Sequence, residues 1–294
     1  MADQAQGLRA LAEYVRPLQA RDAPCASDSP LQRRVFAFVG AREGVGATTI
    51  AANVAILLAS AGRRALLLDG DASIANCHLL LGLRNRASLA DVLRGVARPE
   101  AIVSRPSPGL TVAACMANRS CRSPLATSVG RRVLTRLAED ADLVLADGGN
   151  GADALTGVLA RLLTDVVAVT TPEPEAVADT YACLKVAARL HPAAPLHVVV
   201  NMATSPREAD AVADRLSSVT ARFLHFRPNY LGNIPADPAI VRSLGARATY
   251  VRASAGADAA RALARIASEI AKSAVPDVLA SAGGRPRFAA MKAA

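Results

Sequence analysis

The chain has 294 residues, of which 52% are hydrophobic, enough to bury a sizeable core in one large domain or two small ones. Aromatics make up 3% with no Trp, so that core must be built from Ala, Val, Leu and Ile, and single-strand nucleic-acid readers that stack bases on aromatic platforms are disfavoured. The formal charge is +9, carried almost wholly by Arg, since only Lys185, Lys272 and Lys292 are lysines among 34 basic residues. Such a balance suits an anionic partner and equally suits a genome that favours Arg codons.

Cys25, Cys77, Cys115, Cys121 and Cys183 are odd in number, irregularly spaced and free of any CxxC pair, which predicts free thiols in a reducing, cytosolic protein. The four histidines, His78, His191, His197 and His225, have no metal-ligand spacing. The first residues include Asp3 and no apolar run, unlike a secretion signal.

In chain order, residues 3–18 place Ala5, Leu8, Leu11, Ala12, Val15 and Leu18 on one stripe, predicting a short amphipathic helix that Pro17 ends. The linker RDAPCASDSP (21–30) follows. From 35 to 275, apolar runs alternate with helix-length segments. The runs are VFAFV (35–39), ALLLD (65–69), DLVLAD (142–147), DVVAVTTP (165–172) and PLHVVVNM (195–202). Each is nearly all apolar, as strands buried on both faces of a parallel sheet must be. Helices are expected at 50–61, 86–95, 125–140, 153–163, 174–190, 208–221 and 257–274, with Leu263, Ile266 and Ile270 on one face of the last. This alternation predicts a doubly wound α/β fold with a mostly parallel sheet. The uncharged run 44–62 has membrane-span length, but its Gly-rich start, Thr48, Thr49 and Asn53 mark a buried core helix. Residues 276–294 form a tail expected to be poorly ordered. The expected organisation is thus 1–20 helix, 21–34 linker, 35–275 nucleotide-binding domain, 276–294 tail.

Between the first strand and the second helix lies GAREGVGATT (40–49). In a strand–loop–helix phosphate site, backbone N–H groups cradle the phosphates, a Lys reaches the β- and γ-phosphates and a Ser or Thr hydroxyl holds Mg²⁺. The helix N-terminus adds its positive end. This loop keeps Gly44, Val45, Gly46, Thr48 and Thr49, but Ala41 stands at the first Gly of G-x-x-x-x-G-K-[ST] and Ala47 at its Lys. Asp69 and Asp71 end the second run, and Asp147 ends the third ahead of Gly148, Gly149 and Gly151. Ligands of open parallel sheets bind outside those C-terminal ends. Asp147 suits Mg²⁺ through water, with Thr48, and Asp71 or Asp69 suits orienting an attacking water.

These residues resemble the deviant-Walker P-loop ATPases of the MinD/ParA type, whose loop K-G-G-x-G-K-[ST]-T aligns with residues 42–49. The resemblance extends over the D-x-D at Asp69/Asp71, the D-x-x-x-G at Asp147–Gly151, TTPEPEAVADTY (170–181), VVVNMATS (198–205) and YLGNIPADPAIV (230–241). It implies ATP or ADP with Mg²⁺, adenine contacts at Asn201 and near Pro235, and an ATP-dependent homodimer. Within that group, Asp3-Gln4-Ala5-Gln6-Gly7-Leu8-Arg9 matches the D-Q-A-x-x-L-R helix of the FlhG/FleN flagellar number regulators. In that family the helix binds and stimulates a signal-recognition-type GTPase, FlhF. The resemblance gives Asp3, Gln4, Ala5, Leu8 and Arg9 that task, with Gln4 activating, and it implies flagellar regulator or switch-complex proteins as further partners.

The departures bear on chemistry. The family has two loop lysines, one for its own phosphates and one that reaches across the dimer; here they are Ala47 and Arg42. Losing the first charge-assisted contact costs about 1.5–3 kcal/mol, roughly 10- to 150-fold in affinity. Glu43, in place of a Gly, adds negative charge near the phosphates, while the Arg42 guanidinium retains phosphate chemistry across a dimer. Hydrolysis is therefore expected to be weak or absent. Paired arginines, Arg33-Arg34, Arg63-Arg64 and Arg131-Arg132, are expected on solvated faces, and Met116 and Met202 in the core. Tail residues Arg285, Arg287, Phe288, Met291 and Lys292 follow Gly283, Gly284 and Pro286 and leave about two helical turns, too few for stable membrane attachment. A cytoplasmic protein, at most peripheral at the membrane or cell pole, is expected, with no specific nucleic-acid target. Two alternatives stand beside the ATP switch: a nucleotide-independent adaptor with a vestigial loop, and a ParA-like partitioning protein on nonspecific DNA.

Overall fold

A computed structural model of the chain describes residues 34–71, 77–83, 87–115, 128–151, 155, 162–240, 250–254 and 256–273. The expected N-terminal helix with Asp3, Gln4, Ala5, Leu8 and Arg9, the linker up to residue 33 and the tail lie outside the described residues. The elements are β1 (Val35–Gly40), α1 (Ala47–Ser60), β2 (Ala65–Asp69), α2 (Cys77–Leu80), α3 (Leu89–Leu93), a 3₁₀ turn (Pro99–Ile102), β3 (Val103–Ser107), β4 (Leu110–Ala114), α4 (Ser128–Ala138), β5 (Leu143–Asn150), β6 (Asp165–Thr170), α5 (Pro174–Leu190), β7 (Leu196–Ala203), α6 (Pro206–Leu224), β8 (Asn229–Pro235), α7 (Tyr250–Ala253) and α8 (Asp258–Ser273).

The described strands form one sheet in the order β3-β4-β2-β5-β1-β6-β7-β8, with every neighbouring pair parallel except β3–β4. All five apolar runs are strands. Strand side chains alternate faces, so each run feeds two cores. Phe36, Phe38, Leu67, Leu145, Val167 and Val199 face α1 and α8. Val35, Leu66, Leu68, Val144 and Ala146 face the other way, with Val133 and Leu134 of α4. Ala37, Val39, Val166, Ala168, Val198 and Val200 pack with Leu184 of α5 and Leu216 of α6. Two features were not resolved as strands from sequence. The β3–β4 hairpin carries Pro106 and half-exposed residues, typical of an edge, and β8 carries Gly232.

The uncharged run is the core helix expected of it. α1 lies between the sheet and α8, and ten of its fourteen residues are buried. Asn53 is satisfied inside: its amide donates to Thr49 O at 2.8 Å, and its carbonyl accepts from Val251 N at 3.2 Å. Among the described residues, no helix is long and apolar enough to cross a membrane. α6 starts where local chemistry directs it: Ser205 Oγ accepts from Glu208 N at 3.2 Å, Pro206 takes the first helical position, and Glu208 returns to Thr204.

One arginine departs from the solvated-face expectation. Arg34 grips the fully buried Asp165 through Nε and Nη2, and its Nη1 donates to Ser273 O at 2.6 Å, tying the end of α8 to the start of β1. His197 Nε2 lies 3.0 Å from the same carboxylate, and Thr164 Oγ1 donates to it at 2.7 Å. Burial opposes ionisation of Asp165 most strongly, yet hydrogen bonds from His197, Arg34 and Thr164 together outweigh it and hold the carboxyl below its ordinary 3.8. Because the folded value is depressed, this contribution is present above the unfolded pKa and lost as pH falls through the folded one.

Asp165→Ala is expected to cost about 2–4 kcal/mol in denaturant unfolding, less than a fully buried pair because a third of the Arg34 side chain stays in water. The difference from wild type should shrink as pH falls below the unfolded carboxylate pKa.

Candidate functional site

β1 ends at Gly40 and α1 begins at Ala47, so residues 41–46 turn the chain across the C-terminal edge of the sheet. Gly46 sits at φ 90°, and a Cβ there would lie 2.5 Å from Asn201 Nδ2, so only glycine fits. Gly46 offers no side-chain cap, which leaves the first-turn N–H groups of α1 free to meet an anion.

These groups open into a cleft of about 580 Å³, a size suited to a nucleotide. One end is lined by Gly44, Gly46, Ala47, Thr48, Thr49, Asp71 and Asn150; the other by Asn201, Met202, Ile234, Pro235, Pro238, Ile240 and Leu263. The first end is polar and the second largely apolar, matching the phosphate and base ends of a nucleotide. Asp237 joins the base end and is anchored: Oδ1 accepts from Ala239 N at 2.8 Å and Oδ2 from Tyr250 Oη at 2.5 Å.

Behind the phosphate end, β2 and β5 are paired so that Asp69 and Asp147 are direct Cα partners. Both are fully buried. Asp147 accepts from Gly149 N at 3.2 Å and from Cys77 Sγ at 3.4 Å, and the Thr48 hydroxyl also bonds it. Burial raises its pKa, and these bonds only partly offset that. Asp69 is pushed up to about 8, first by burial, then by the charges of Asp147 and Asp71; the Cys77 and His78 backbone amides counter weakly, and neither Asp69 oxygen completes a hydrogen bond. Asp71 reaches the cleft beside Gly149, which sits at φ 76°; a Cβ there would come within 2.7 Å of Asp71 Oδ1.

Thr48 and Asp147, bonded to each other at the start of α1, form a hard-oxygen pair that fits Mg²⁺. The ion would supply charge neutralisation for the phosphates. Ala47 contributes a methyl group where a cation would stand, and none of the described residues lining the cleft is cationic, whereas Glu43 lines it. Arg42 does not line the cleft: its Nε lies 3.8 Å from Asp179 Oδ2 on α5, with both side chains about half exposed. Val45 is buried beneath the loop, and its carbonyl accepts from Asn201 Nδ2 at 2.8 Å, so Asn201 braces the loop as well as lining the base end. Met202, read from sequence as core filler, is 43% exposed at φ 59° and lines the base end. Asn150, Ile240 and Leu263 also escaped the sequence reading; only the polar Asn150, next to Asp147-Gly148-Gly149, offered a local signal. Cys77, Cys115 and Cys183 are free and buried.

The raised pKa of Asp69 carries a sign. Its contribution to stability is fully present below 3.8 and lost as pH rises towards about 8, because only the unfolded state ionises freely there. In chelator-containing buffer, Asp69→Asn is expected to stabilise the chain by on the order of 2–4 kcal/mol at pH 8 and hardly at all near pH 4. Thermal melts across that range check this; a gain independent of pH would contradict it.

Comparison with known proteins agrees with this geometry. The ParA family model, described as NUBPL iron-transfer P-loop NTPase, matches residues 32–271. The antiactivator FleN of Pseudomonas aeruginosa is 28% identical over 240 residues, covering 81% of this chain and 86% of FleN. The flagellum site-determining protein YlxH of Helicobacter pylori is 28% identical over 214 residues, 70% of this chain and 71% of YlxH. The cell division ATPase MinD of Pyrococcus furiosus superposes with a TM-score of 0.67 at 25% identity, covering 82% of this chain and 99% of that one. The MinD of Pyrococcus horikoshii, solved with Mg-ADP, superposes with a TM-score of 0.68 at 23% identity, covering 82% and 97%. With a phosphate loop on β1, carboxylates ending β2 and β5, and a family match across most of its length, the chain belongs to the ParA/MinD family of P-loop NTPases.

Proposed function

We propose that this chain is a MinD-like regulator of flagellar number or placement that senses nucleotide in the cleft while hydrolysing it slowly or not at all. The observation that carries the reading is a complete phosphate end, with Gly44, Gly46, Thr48, Thr49, Asp71 and Asp147 assembled, around an Ala47 that has no cation to offer. Backbone N–H groups and the helix end supply enough attraction for binding, whereas the transition state, where charge develops, loses most from the missing lysine. Similarity to FleN and YlxH supports the flagellar role. Asp71, on the cleft wall, is the better placed carboxylate to orient a water; Asp69, behind it, sets the local field.

Asn201 and the backbone around Pro235 would hold the base, with Asn201 exchanging its bond to Val45 for the ligand. Arg42, about half exposed beside Asp179, would serve the nucleotide of a second copy in an ATP-bridged dimer. The N-terminal segment is the partner-facing part: Gln4, flanked by Asp3, Ala5, Leu8 and Arg9, would orient water in an FlhF-like GTPase. The protein then acts in the cytoplasm, with at most weak contact at the membrane.

Calorimetric titration with Mg-ATP and Mg-ADP, beside Ala47→Lys, tests the switch. Wild type is expected to bind in the micromolar range and to hydrolyse ATP at least about tenfold more slowly than Ala47→Lys. Equal turnover would overturn the slow-hydrolysis reading, and heat from Ala47→Lys alone would make the chain a nucleotide-independent adaptor. Deleting residues 1–10 is expected to abolish stimulation of the GTPase while leaving ATP binding unchanged; surviving stimulation would remove Gln4 from its role.

A further inference from the structure

The buried cluster behind the phosphate end holds, beside Asp147, donors that nucleotide binding does not use. One ligand atom each from Asp69, Cys77 and Asp147 lies within 4.8 Å of the others. Cys77 Sγ is 3.4 Å from Asp147 Oδ2, and His78 Nδ1 is 3.7 Å from Asp69 Oδ2. In a tetrahedral zinc centre with Zn–S of about 2.3 Å and Zn–O or Zn–N of about 2.0–2.1 Å, sulfur–oxygen edges are about 3.5 Å and nitrogen–oxygen edges about 3.3 Å. The Cys77–Asp147 separation is close to the first length, and the His78–Asp69 separation is longer than the second, so His78 must move inward to ligate.

A second observation points the same way. Both Asp69 oxygens and His78 Nδ1 are buried without hydrogen-bond partners. Buried groups left unsatisfied in this way destabilise a fold unless something binds them. Asp69 and Asp147 are direct partners across β2 and β5, with both carboxyls fully buried. A divalent ion would satisfy the lone pairs and the charge together. The donor set selects the ion: a thiol and an imidazole beside two carboxylates suit a borderline-soft tetrahedral metal and not Mg²⁺, which prefers octahedral oxygen.

We propose that Asp69, Cys77 and Asp147, with the neighbouring His78 closing in from beside Asp69 as the fourth ligand, form a tetrahedral Zn²⁺ site behind the phosphate end of the cleft in the nucleotide-free protein, where Asp147 is not engaged with Mg²⁺. Binding is a proton exchange: the Cys77 thiol and the Asp69 carboxyl, both held protonated by burial, release their protons to solvent as Zn–S and Zn–O bonds form. His78, with 22% of its side chain exposed, is the side from which the ion is admitted. Asp147 would join the metal through Oδ2 while Oδ1 keeps its bond to Gly149. The site shares Asp147 with the Mg²⁺ reading, so the two are tested apart, this one without nucleotide or Mg²⁺.

The test uses the full chain, reduced, chelator-stripped and free of nucleotide, titrated with Co²⁺ and then Zn²⁺. The expected result is one equivalent of Co²⁺ with intense tetrahedral visible bands and a thiolate-to-cobalt charge-transfer band. Zn²⁺ should displace it, Cys77→Ser should abolish the charge-transfer band, and Cys183→Ser should leave it intact. His78→Ala should weaken binding at least about tenfold. Absence of the charge-transfer band, a weak octahedral spectrum alone, or an unchanged band in Cys77→Ser would overturn the proposal. Should circular dichroism show Cys77→Ser unfolded, His78→Ala, on the exposed side, decides: unaltered affinity there refutes the four-ligand site. Because nucleotide is absent, failure here leaves the calorimetric result on ATP standing, and the reverse holds.

Discussion

Asp69 faces Asp147 across two parallel strands, and both carboxyls are buried where those strands end. Parallel pairing brings the C-terminal ends of β2, β5 and β1 side by side, so the phosphate loop leaving β1 lies over this pair. Like charges in a low-dielectric site raise each other's pKa. Among the described residues, none that lines the cleft is a cation to offset this pair. A lysine in the loop would have helped; Ala47 does not. Protons, a metal or a phosphate held at the helix end would each change the balance of charge in this region.

The opposite edge of the sheet is organised in the contrary way. Asp165 begins β6, as buried as Asp69, but Arg34, His197 and Thr164 surround it and lower its pKa. One buried carboxylate is fully partnered and stabilises the junction of β1, β6 and α8; the other is left without hydrogen bonds. The two titrate in opposite senses, so acid weakens one edge of the sheet and relieves the other. That asymmetry separates a structural edge from a functional one, as ligand sites at strand C-termini lead one to expect.

Asn201 connects the two ends of the cleft. Its amide holds Val45 O at the loop while its own strand lines the base end. The second N–H of this amide and its carbonyl oxygen are further hydrogen-bonding groups of the same side chain. Neighbouring Met202, with positive φ, is turned out of the sheet and into the cleft by the same strand end.

Local sequence determined much of this protein. Five strands and the α1, α5, α6 and α8 helices were legible because buried parallel strands are uniformly apolar and helices carry a 3.6-residue stripe. The loop, Asp71, Asp147 and the loss of lysine at Ala47 were legible because phosphate sites fix residue type at fixed spacing. The β3–β4 hairpin and β8 were not, since edge and Gly-interrupted strands lack that uniform pattern. Tertiary structure alone decided that Arg34 is a buried-pair partner and not a surface charge, that Met202 and Leu263 line a cleft, and that Arg42 faces Asp179. It alone brought Cys77 and His78 to Asp69 and Asp147: no spacing in the chain announces that set, because its members are joined by strand register across 70 residues and not by a local motif.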